Sequence, residues 1–137
     1  MPVELIRKPE TLGEPLGRYS HISIATGTEI VSVAGQVGIL SSGELAGDGS
    51  VTAQTKQAFR NVVAALDAVH LGPRDIFKTT TFLVGAENLD EFMEARKAVF
   101  EEVFPDEGYP PNTLLIVARL VEARLAVEVE AFAVRAA

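Results

Sequence analysis

The run from residue 112 to residue 120 limits the possible folds most, because it carries apolar side chains on both faces of a predicted strand. The residues alternate between the two sides of an extended chain, with Leu114, Ile116 and Ala118 on one side and Leu115 and Val117 on the other. A sheet that contains such a strand must be covered on both faces. The chain supplies only two amphipathic helices, which cover one face. We therefore expect other copies to cover the second face, in a closed homo-oligomer with clefts between its subunits.

The other segments alternate between the two-residue period of strands and the period of amphipathic helices. The first helix is predicted to begin after Ser50, a plausible N-cap, and to stop at Gly72-Pro73. The second helix is predicted over residues 88–104 and ends at Pro105. Strands are predicted over residues 20–26, 29–39, 75–84, 112–120 and 126–134, and residues 3–7 offer a short leading strand.

Two of these strands, residues 20–26 and 29–39, are separated by the turn Gly27-Thr28 and are expected to pair as a hairpin. In the second of them, Val31, Val33, Val37 and Ile39 are expected to share one face. The element order β-β-α-β-α-β-β predicts an α+β fold of two layers, a mixed sheet with both helices on one face. No repeat or linker interrupts the sequence, so one domain is expected over residues 1–137.

Composition narrows the function classes. The chain has no Cys and two isolated His residues, which predicts no metal site, and nothing in it calls for another cofactor. The net charge is −7, from 19 acidic and 12 basic side chains, which argues against a nucleic-acid partner. No segment has the pattern of a secretion signal or the length of a bilayer-spanning helix, so we expect a cytoplasmic protein without a membrane partner.

Five short motifs follow one another along the chain: residues 17–20 (Gly-Arg-Tyr-Ser), 34–37 (Ala-Gly-Gln-Val), Gln54-Thr55 with Asn61, 75–80 (Asp-Ile-Phe-Lys-Thr-Thr) and 127–131 (Val-Glu-Val-Glu-Ala). In this order they resemble the reactive intermediate deaminase family (Rid, formerly YjgF), over nearly the whole chain. The resemblance implies a chorismate-mutase-like fold, a homotrimer and sites in the clefts between subunits. Its better-known members hydrolyse reactive imines and enamines to a keto acid and ammonia.

The resemblance also implies roles for particular residues. Glu128 matches the family glutamate that orients the attacking water; the alternative is a glutamate at the rim that forms a surface ion pair. Glu130 lies two residues further along the same face of the strand. Tyr19 matches a tyrosine that lines the cleft. Ala34 replaces the family serine, and Gly35 allows a ligand or a backbone segment to approach closely.

The main departure from the family is at Asn112. Deaminating members bind the substrate carboxylate through the arginine of a Pro-Ala-Arg-Ser motif, and this chain has Asn112 and Thr113 at the last two positions. Asparagine donates hydrogen bonds but carries no charge. Arg96 lies close to the position of a family asparagine on the second helix, so the two residue types have exchanged places if Arg96 faces the cleft. The alternative is a solvated helix residue. Arg18, where the family has proline, is a rival cation.

Three functions follow from these observations. The first is a divergent Rid-type hydrolase of small imines or enamines, in which Glu128 activates water and Tyr19, Asn112, Thr113 and one arginine shape the site. The second is a homotrimer that binds a small molecule without catalysis, which the missing arginine and serine favour. The third is an RNA-cleaving or translation-inhibiting protein, a label that some family members carry, and the negative charge argues against it.

Overall fold

The structure, a computed structural model, describes residues 2–137. Its elements in chain order are β1 (Val3–Ile6), β2 (Ile22–Ala25), β3 (Glu29–Val37), α1 (Val51–Asp67), β4 (Ile76–Val84), α2 (Leu89–Val103), β5 (Asn112–Val117) and β6 (Val127–Arg135). Both predicted helices are present, and the Ser50 hydroxyl accepts a hydrogen bond from the Ala53 amide, as an N-cap does. The leading strand is also present, slightly shorter than the sequence predicts.

The main sheet has four strands in the order β3-β6-β4-β5. Strands β3 and β4 run antiparallel to β6, whereas β5 runs parallel to β4 because α2 forms the crossover between them. Helix α1 packs against α2, β3 and β6. The α+β architecture with a mixed sheet and a helical layer is thus confirmed.

The predicted hairpin between residues 20–26 and 29–39 is wrong. Strand β2 pairs with β1 in a separate two-stranded sheet, and β3 pairs with β6. The turn between β2 and β3 is held against the end of β6, since the Thr28 amide donates to the Arg135 carbonyl at 2.9 Å. A side chain at Gly27 would also collide with the Arg135 backbone. The chain therefore crosses from one sheet to the other at Gly27 instead of folding back on itself.

A β-bulge changes the face of the last residues of β3. Val33 lies opposite Ala131, whereas Gln36 lies opposite Val129, so the register shifts between them. Val37 consequently lies opposite Glu128 and turns away from the helices. The prediction that Val37 shares a face with Val33 is wrong, because the extra residue in the bulge reverses the alternation of side chains.

The two faces of the sheet differ in burial. On the helix side, Val127, Val129, Ala131 and Ala133 of β6 are completely buried. The opposite side, called the open sheet face below, includes Ile30, Phe82, Thr113, Leu115, Glu128, Glu130 and Phe132, together with the polar residues Ser32, Lys78 and Thr80. Ile30 is 74% exposed on this face and Leu115 is 44% exposed. The helices thus cover one face, and an apolar surface remains on the other.

Four aromatic rings fill the core beneath α2. The ring of Phe100 contacts Phe59 and Phe104 edge to face, with centroids 5.0 Å apart in each pair, and stacks on Tyr109 at 5.5 Å. Offset and edge-to-face pairs of this kind stabilise a core beyond the area that they bury. The cluster fixes the position of α2 and of the segment that leads into β5.

The side chain of Gln54 on α1 holds the segment before β6 in place. Its amide nitrogen donates to the carbonyls of Gly49 and Arg124, at 3.0 and 3.1 Å, and its oxygen accepts from the Ala126 amide at 2.8 Å. Gln54 is 2% exposed, so these backbone groups have little access to water. The bonds fix the point at which β6 begins, at Val127, one residue before Glu128.

We expect Gln54→Leu to destabilise the protein by about 2–3 kcal/mol, because it leaves buried backbone groups without partners. Thr55→Val is the matched control: Thr55 is equally buried, and its hydroxyl has no hydrogen-bond partner among residues 2–137. Its replacement should leave the stability equal or higher. Thermal and urea unfolding measure both effects. An equal loss in the two variants would show that the bonds of Gln54 are not the cause.

Candidate functional site

A cavity of about 370 Å³ lies between the segment before β2, helix α2 and the start of β5. Its walls include Gly17, Tyr19, Met93, Arg96, Asn112 and Thr113, and it is called the Arg96 cavity below. Four of the residues singled out in the sequence, Tyr19, Arg96, Asn112 and Thr113, thus meet in one place although 94 positions separate the first from the last. The cavity lies at the edge of the sheet, since β5 is its last strand.

Arg96 forms the buried wall of this cavity. It is 4% exposed and lies on the inner stripe of α2, so the alternative of a solvated helix residue is wrong. The guanidinium carbon lies 5.4 Å from the centre of the Phe92 ring and 5.7 Å from that of Phe100, within the range of cation–π contacts. One guanidinium nitrogen donates to the Met93 sulfur at 3.1 Å. The side chain is therefore held by apolar neighbours.

No acidic side chain neutralises this charge. The ion pairs found among residues 2–137 involve other arginines and Lys8, and neither Arg96 nor Arg18 takes part in one. Burial lowers the pKa of Arg96, and the nearby positive charge of half-buried Arg18 lowers it further. A buried charge without a partner costs folding free energy. The cavity therefore presents a cation whose charge is available to an anionic ligand.

The Asn112 side chain is fixed by two threonines of β4. Its oxygen accepts hydrogen bonds from the hydroxyls of Thr79 and Thr81, both at 2.9 Å. The amide nitrogen takes part in no hydrogen bond among residues 2–137, so it can donate to a ligand. The hydroxyl of Thr113, on the open sheet face, accepts from the Lys78 ammonium at 2.7 Å. Asn112 and Thr113 thus turn to opposite faces of β5.

Tyr19 is held by the turn in which it lies. Its hydroxyl accepts from the Leu16 amide at 3.1 Å, and its carbonyl accepts from the Arg7 guanidinium at 3.3 Å. The ring meets His21 edge to face, with centroids 5.8 Å apart. The hydroxyl keeps its own proton for donation, so it remains a potential ligand contact.

Glu128 lies outside the Arg96 cavity, beside Gly35. A methyl group at Gly35 would overlap the Glu128 carboxylate, so the absence of a side chain there makes room for the acid. Within residues 2–137 the carboxylate accepts no hydrogen bond and forms no ion pair, so the alternative of a surface ion pair finds no partner in this chain. Ala34 is exposed next to Gly35. Gly35 and Glu128 together are called the Gly35–Glu128 pair below.

Strand β4 lies between the Arg96 cavity and the Gly35–Glu128 pair. Glu128 lies opposite Phe82, which lies opposite Leu115 of β5 on its other side. With neighbouring strands about 4.8 Å apart, Glu128 and Leu115 are on the order of 10 Å apart at their backbones. The structure thus brings the predicted residues together as two clusters, with Arg18 beside the first and Ala34 beside the second.

Other kinds of site find little support in the described part of the chain. Among residues 2–137, no three His, Asp or Glu side chains lie close enough to hold a metal ion. Neither α1 nor α2 has the length and hydropathy that a bilayer-spanning helix needs.

Comparison with known proteins gives this arrangement its context. The sequence model of the family described as "Endoribonuclease L-PSP" matches residues 10–135. The chain belongs to this family, which is also known as Rid or YjgF. A Rid relative from Salmonella typhimurium, named 2-iminobutanoate/2-iminopropanoate deaminase, is 34% identical over 109 residues, which cover 77% of this chain and 80% of the relative.

Solved Rid structures share the fold. A protein of the conserved Rid family from Yersinia pestis, YyfB, described as of unknown function, has a TM-score of 0.84 and 27% identity, with coverage of 98% of this chain and all of the other. Escherichia coli TdcF, crystallised with bound serine, has a TM-score of 0.69 and 28% identity, covering 99% of each chain.

Sequence reasoning missed the residues that support the Arg96 cavity. It placed Thr79 and Thr81 only within a predicted strand, whereas their hydroxyls orient Asn112. Gly17 also bears on this cavity, because a methyl group there would lie 2.9 Å from a guanidinium nitrogen of Arg96. The sequence signal for Gly17 and Thr79 was their place inside two of the Rid-like motifs, and Thr81 lies one position beyond the motif of residues 75–80.

We expect Asn112→Leu to lower the stability by about 1–3 kcal/mol, because the Thr81 hydroxyl, completely buried, would lose its acceptor. Asn112→Asp keeps the acceptor and adds a negative charge to the cavity that contains Arg96, so this variant should be at least as stable as the parent. Thermal unfolding compares the two. Parent-like stability of Asn112→Leu would contradict the assigned hydrogen bonds.

Proposed function

We propose that this Rid protein hydrolyses small imines or enamines derived from amino acids, giving a 2-oxo acid and ammonia. The observation that carries the proposal is the Glu128 carboxylate, which has no hydrogen-bond or ion-pair partner among the described residues 2–137 and lies on the open sheet face beside Gly35. Such a carboxylate can hold and polarise a water molecule. The similarity to a deaminase of 2-imino acids supports the choice of substrate class.

The reaction needs few groups. The substrate is a protonated imine, whose carbon is already electrophilic. Water attacks this carbon while Glu128 accepts one of its protons, and a tetrahedral amino alcohol forms. Glu128 then gives its proton to the nitrogen, the carbon–nitrogen bond breaks, and the carbonyl forms as the hydroxyl proton passes by way of Glu128 to the departing ammonia, which leaves as ammonium. Glu128 begins and ends as a carboxylate, so the step balances without an oxidant, a reductant or a metal.

We further propose that the site is completed by assembly into a homotrimer. The open sheet face carries exposed Ile30 and Leu115, and water is a poor solvent for such a surface. Glu128 and the Arg96 cavity lie apart within one copy, so a cleft between copies is the place where both can reach one small substrate. The family resemblance supports three as the number of subunits.

A second candidate is a trimer that binds a small molecule without turnover. It is favoured by the neutral Asn112 at the position of the family arginine and by Ala34 at that of the family serine. TdcF, with its bound serine, is an example of a Rid protein that holds an amino acid. RNA cleavage, which the family description offers, has less support, because the chain carries a net charge of −7 and nucleic-acid binding requires cationic side chains.

We expect Glu128→Gln to slow the enzyme-dependent release of ammonia by about 100-fold or more, because the amide cannot accept the proton of water. The imines can be generated in the assay by an amino-acid oxidase, with spontaneous hydrolysis subtracted. Glu130→Gln is the matched control, since Glu130 lies on the same strand and the same face. Equal losses in both variants would reject Glu128 as the base, and no release from any precursor by the parent would favour the binding function.

We expect sedimentation analysis to give the mass of a trimer for the parent protein. Leu115→Asp places a charge in the apolar surface that the copies share, so it should shift the mass toward that of the monomer. Val121→Asp is the control, because Val121 is 80% exposed in the loop before β6, away from the open sheet face. If the parent protein sediments as a monomer, the proposed cleft between copies does not exist.

A further inference from the structure

We propose that Arg96 binds the carboxylate of the ligand, so that the anion-binding charge of this protein lies on helix α2 and not at the start of β5. The inference deepens the proposed function and rests on it for the identity of the ligand. Its binding test, however, requires no turnover.

The charge of Arg96 is not matched by an acidic side chain among residues 2–137. Arg96 is 4% exposed and has no acidic partner among residues 2–137, and Arg18 beside it adds a second positive charge. Two neighbouring cations without an anion destabilise the free protein, and a bound carboxylate removes that cost. In a chain with a net charge of −7, a concentration of positive charge at one cavity is consistent with a role in binding.

Arg96 also has N–H donors that its contacts among residues 2–137 leave free. A guanidinium has five N–H groups, and the contacts of Arg96 within the chain use one of them, on the weak acceptor of Met93. None of its nitrogens is a buried atom without a partner, so the remaining donors have access to the cavity. Gly17 leaves space beside one nitrogen, because any side chain there would crowd it. A carboxylate fits this fork of donors.

Arg96 and Asn112 offer a ligand different kinds of donor. Both residues line the same cavity, but Asn112 is neutral and its oxygen is occupied by Thr79 and Thr81. Its amide nitrogen and the Tyr19 hydroxyl can donate to a carbonyl or imine group next to the carboxylate. A small 2-oxo or 2-imino acid presents these two groups on adjacent carbons. The cavity therefore has one charged donor and two neutral donors for such a ligand.

A purely structural function for Arg96 is the competing explanation, since its guanidinium lies near the rings of Phe92 and Phe100. The two explanations differ in stability. If the charge serves a ligand, Arg96→Met removes an unpaired buried cation and fills the same space, so the free protein should unfold at a temperature no lower than the parent. If the cation–π contacts serve the fold, the unfolding temperature should fall.

The test is calorimetric titration with 2-oxobutanoate, a product-like ligand that is not turned over, together with thermal unfolding. We expect Arg96→Met to weaken binding by about tenfold to 100-fold, the range for loss of charge-assisted hydrogen bonds. Arg96→Lys keeps the charge without the fork and should lie between Arg96→Met and the parent. Lys97→Met is the matched control: it removes an exposed charge from the next position of α2 and should leave binding unchanged.

Two ligands and one double variant sharpen the test. The uncharged amide 2-oxobutanamide should bind the parent at least tenfold more weakly than 2-oxobutanoate, whereas equal binding would show that charge is not read. Inorganic phosphate distinguishes a site for any anion from a site for 2-oxo acids. It should compete only weakly with 2-oxobutanoate if the neutral donors bind the oxo group. The variant Arg96→Asn with Asn112→Arg returns the charge to β5, and it should recover binding that Arg96→Asn alone loses.

The inference is overturned if the parent does not bind 2-oxobutanoate, or if Arg96→Met binds it as the parent does. It is also overturned if Arg96→Met lowers the unfolding temperature and Arg96→Lys binds like the parent, since Arg96 would then serve the fold. These outcomes are separate from failure of the proposed function. A parent that binds 2-oxobutanoate through Arg96 but releases no ammonia would reject the reaction and leave the anion site standing.

Discussion

The sheet of this protein is covered by helices on one side only, and the rest of its organisation depends on that constraint. Helices α1 and α2 bury the side of β6 that carries Val127, Val129 and Ala131. The same strand presents Glu128 and Glu130 on the open sheet face, which also carries exposed Leu115 and Ile30. An apolar surface with acidic groups set into it is suited to contact with further copies of the chain. It also places the proposed water-binding carboxylate where a cleft between copies would form.

The proposed chemistry rests on two charged groups, Arg96 and Glu128, that have no ion-pair partner among residues 2–137, and they differ in burial. Arg96 is enclosed by apolar side chains. Its charge therefore attracts an anionic ligand strongly, and it lowers the stability of the free protein. Glu128 is partly exposed, and its carboxylate occupies the space that Gly35 leaves free because it has no side chain. A residue that destabilises the fold while it waits for a ligand is a common feature of functional sites. In the proposed function, Arg96 is the anchor for the ligand and Glu128 is the base.

Local rules explain which parts of the fold were predictable. Helical periodicity, the cap at Ser50 and the stop at Pro105 located both helices within a few residues. Pairing between strands was less predictable, because it depends on contacts far apart in sequence. The hairpin of residues 20–26 and 29–39 failed for this reason: the turn at Gly27 is held by Arg135, more than 100 residues away. The bulge before Gln36 was not predicted either. The sequence on each side of it fits a regular alternation of side chains between the two faces, so the pattern does not mark the inserted residue.

The sequence alone determined the class of fold, the family to which the chain belongs and the absence of the arginine that the family motif has at position 112. Those conclusions rest on local periodicity and on motif order, which are properties of the chain itself. Only the tertiary structure decided that Arg96 is buried and lines the same cavity as Asn112 and Tyr19. Helical spacing alone did not show which side of α2 would be enclosed at Arg96, because burial there depends on how α2 packs against Gly17 and the start of β5. The sequence gives the charge of each residue and its position along the chain, whereas the burial of a residue and its distance from other residues result from packing.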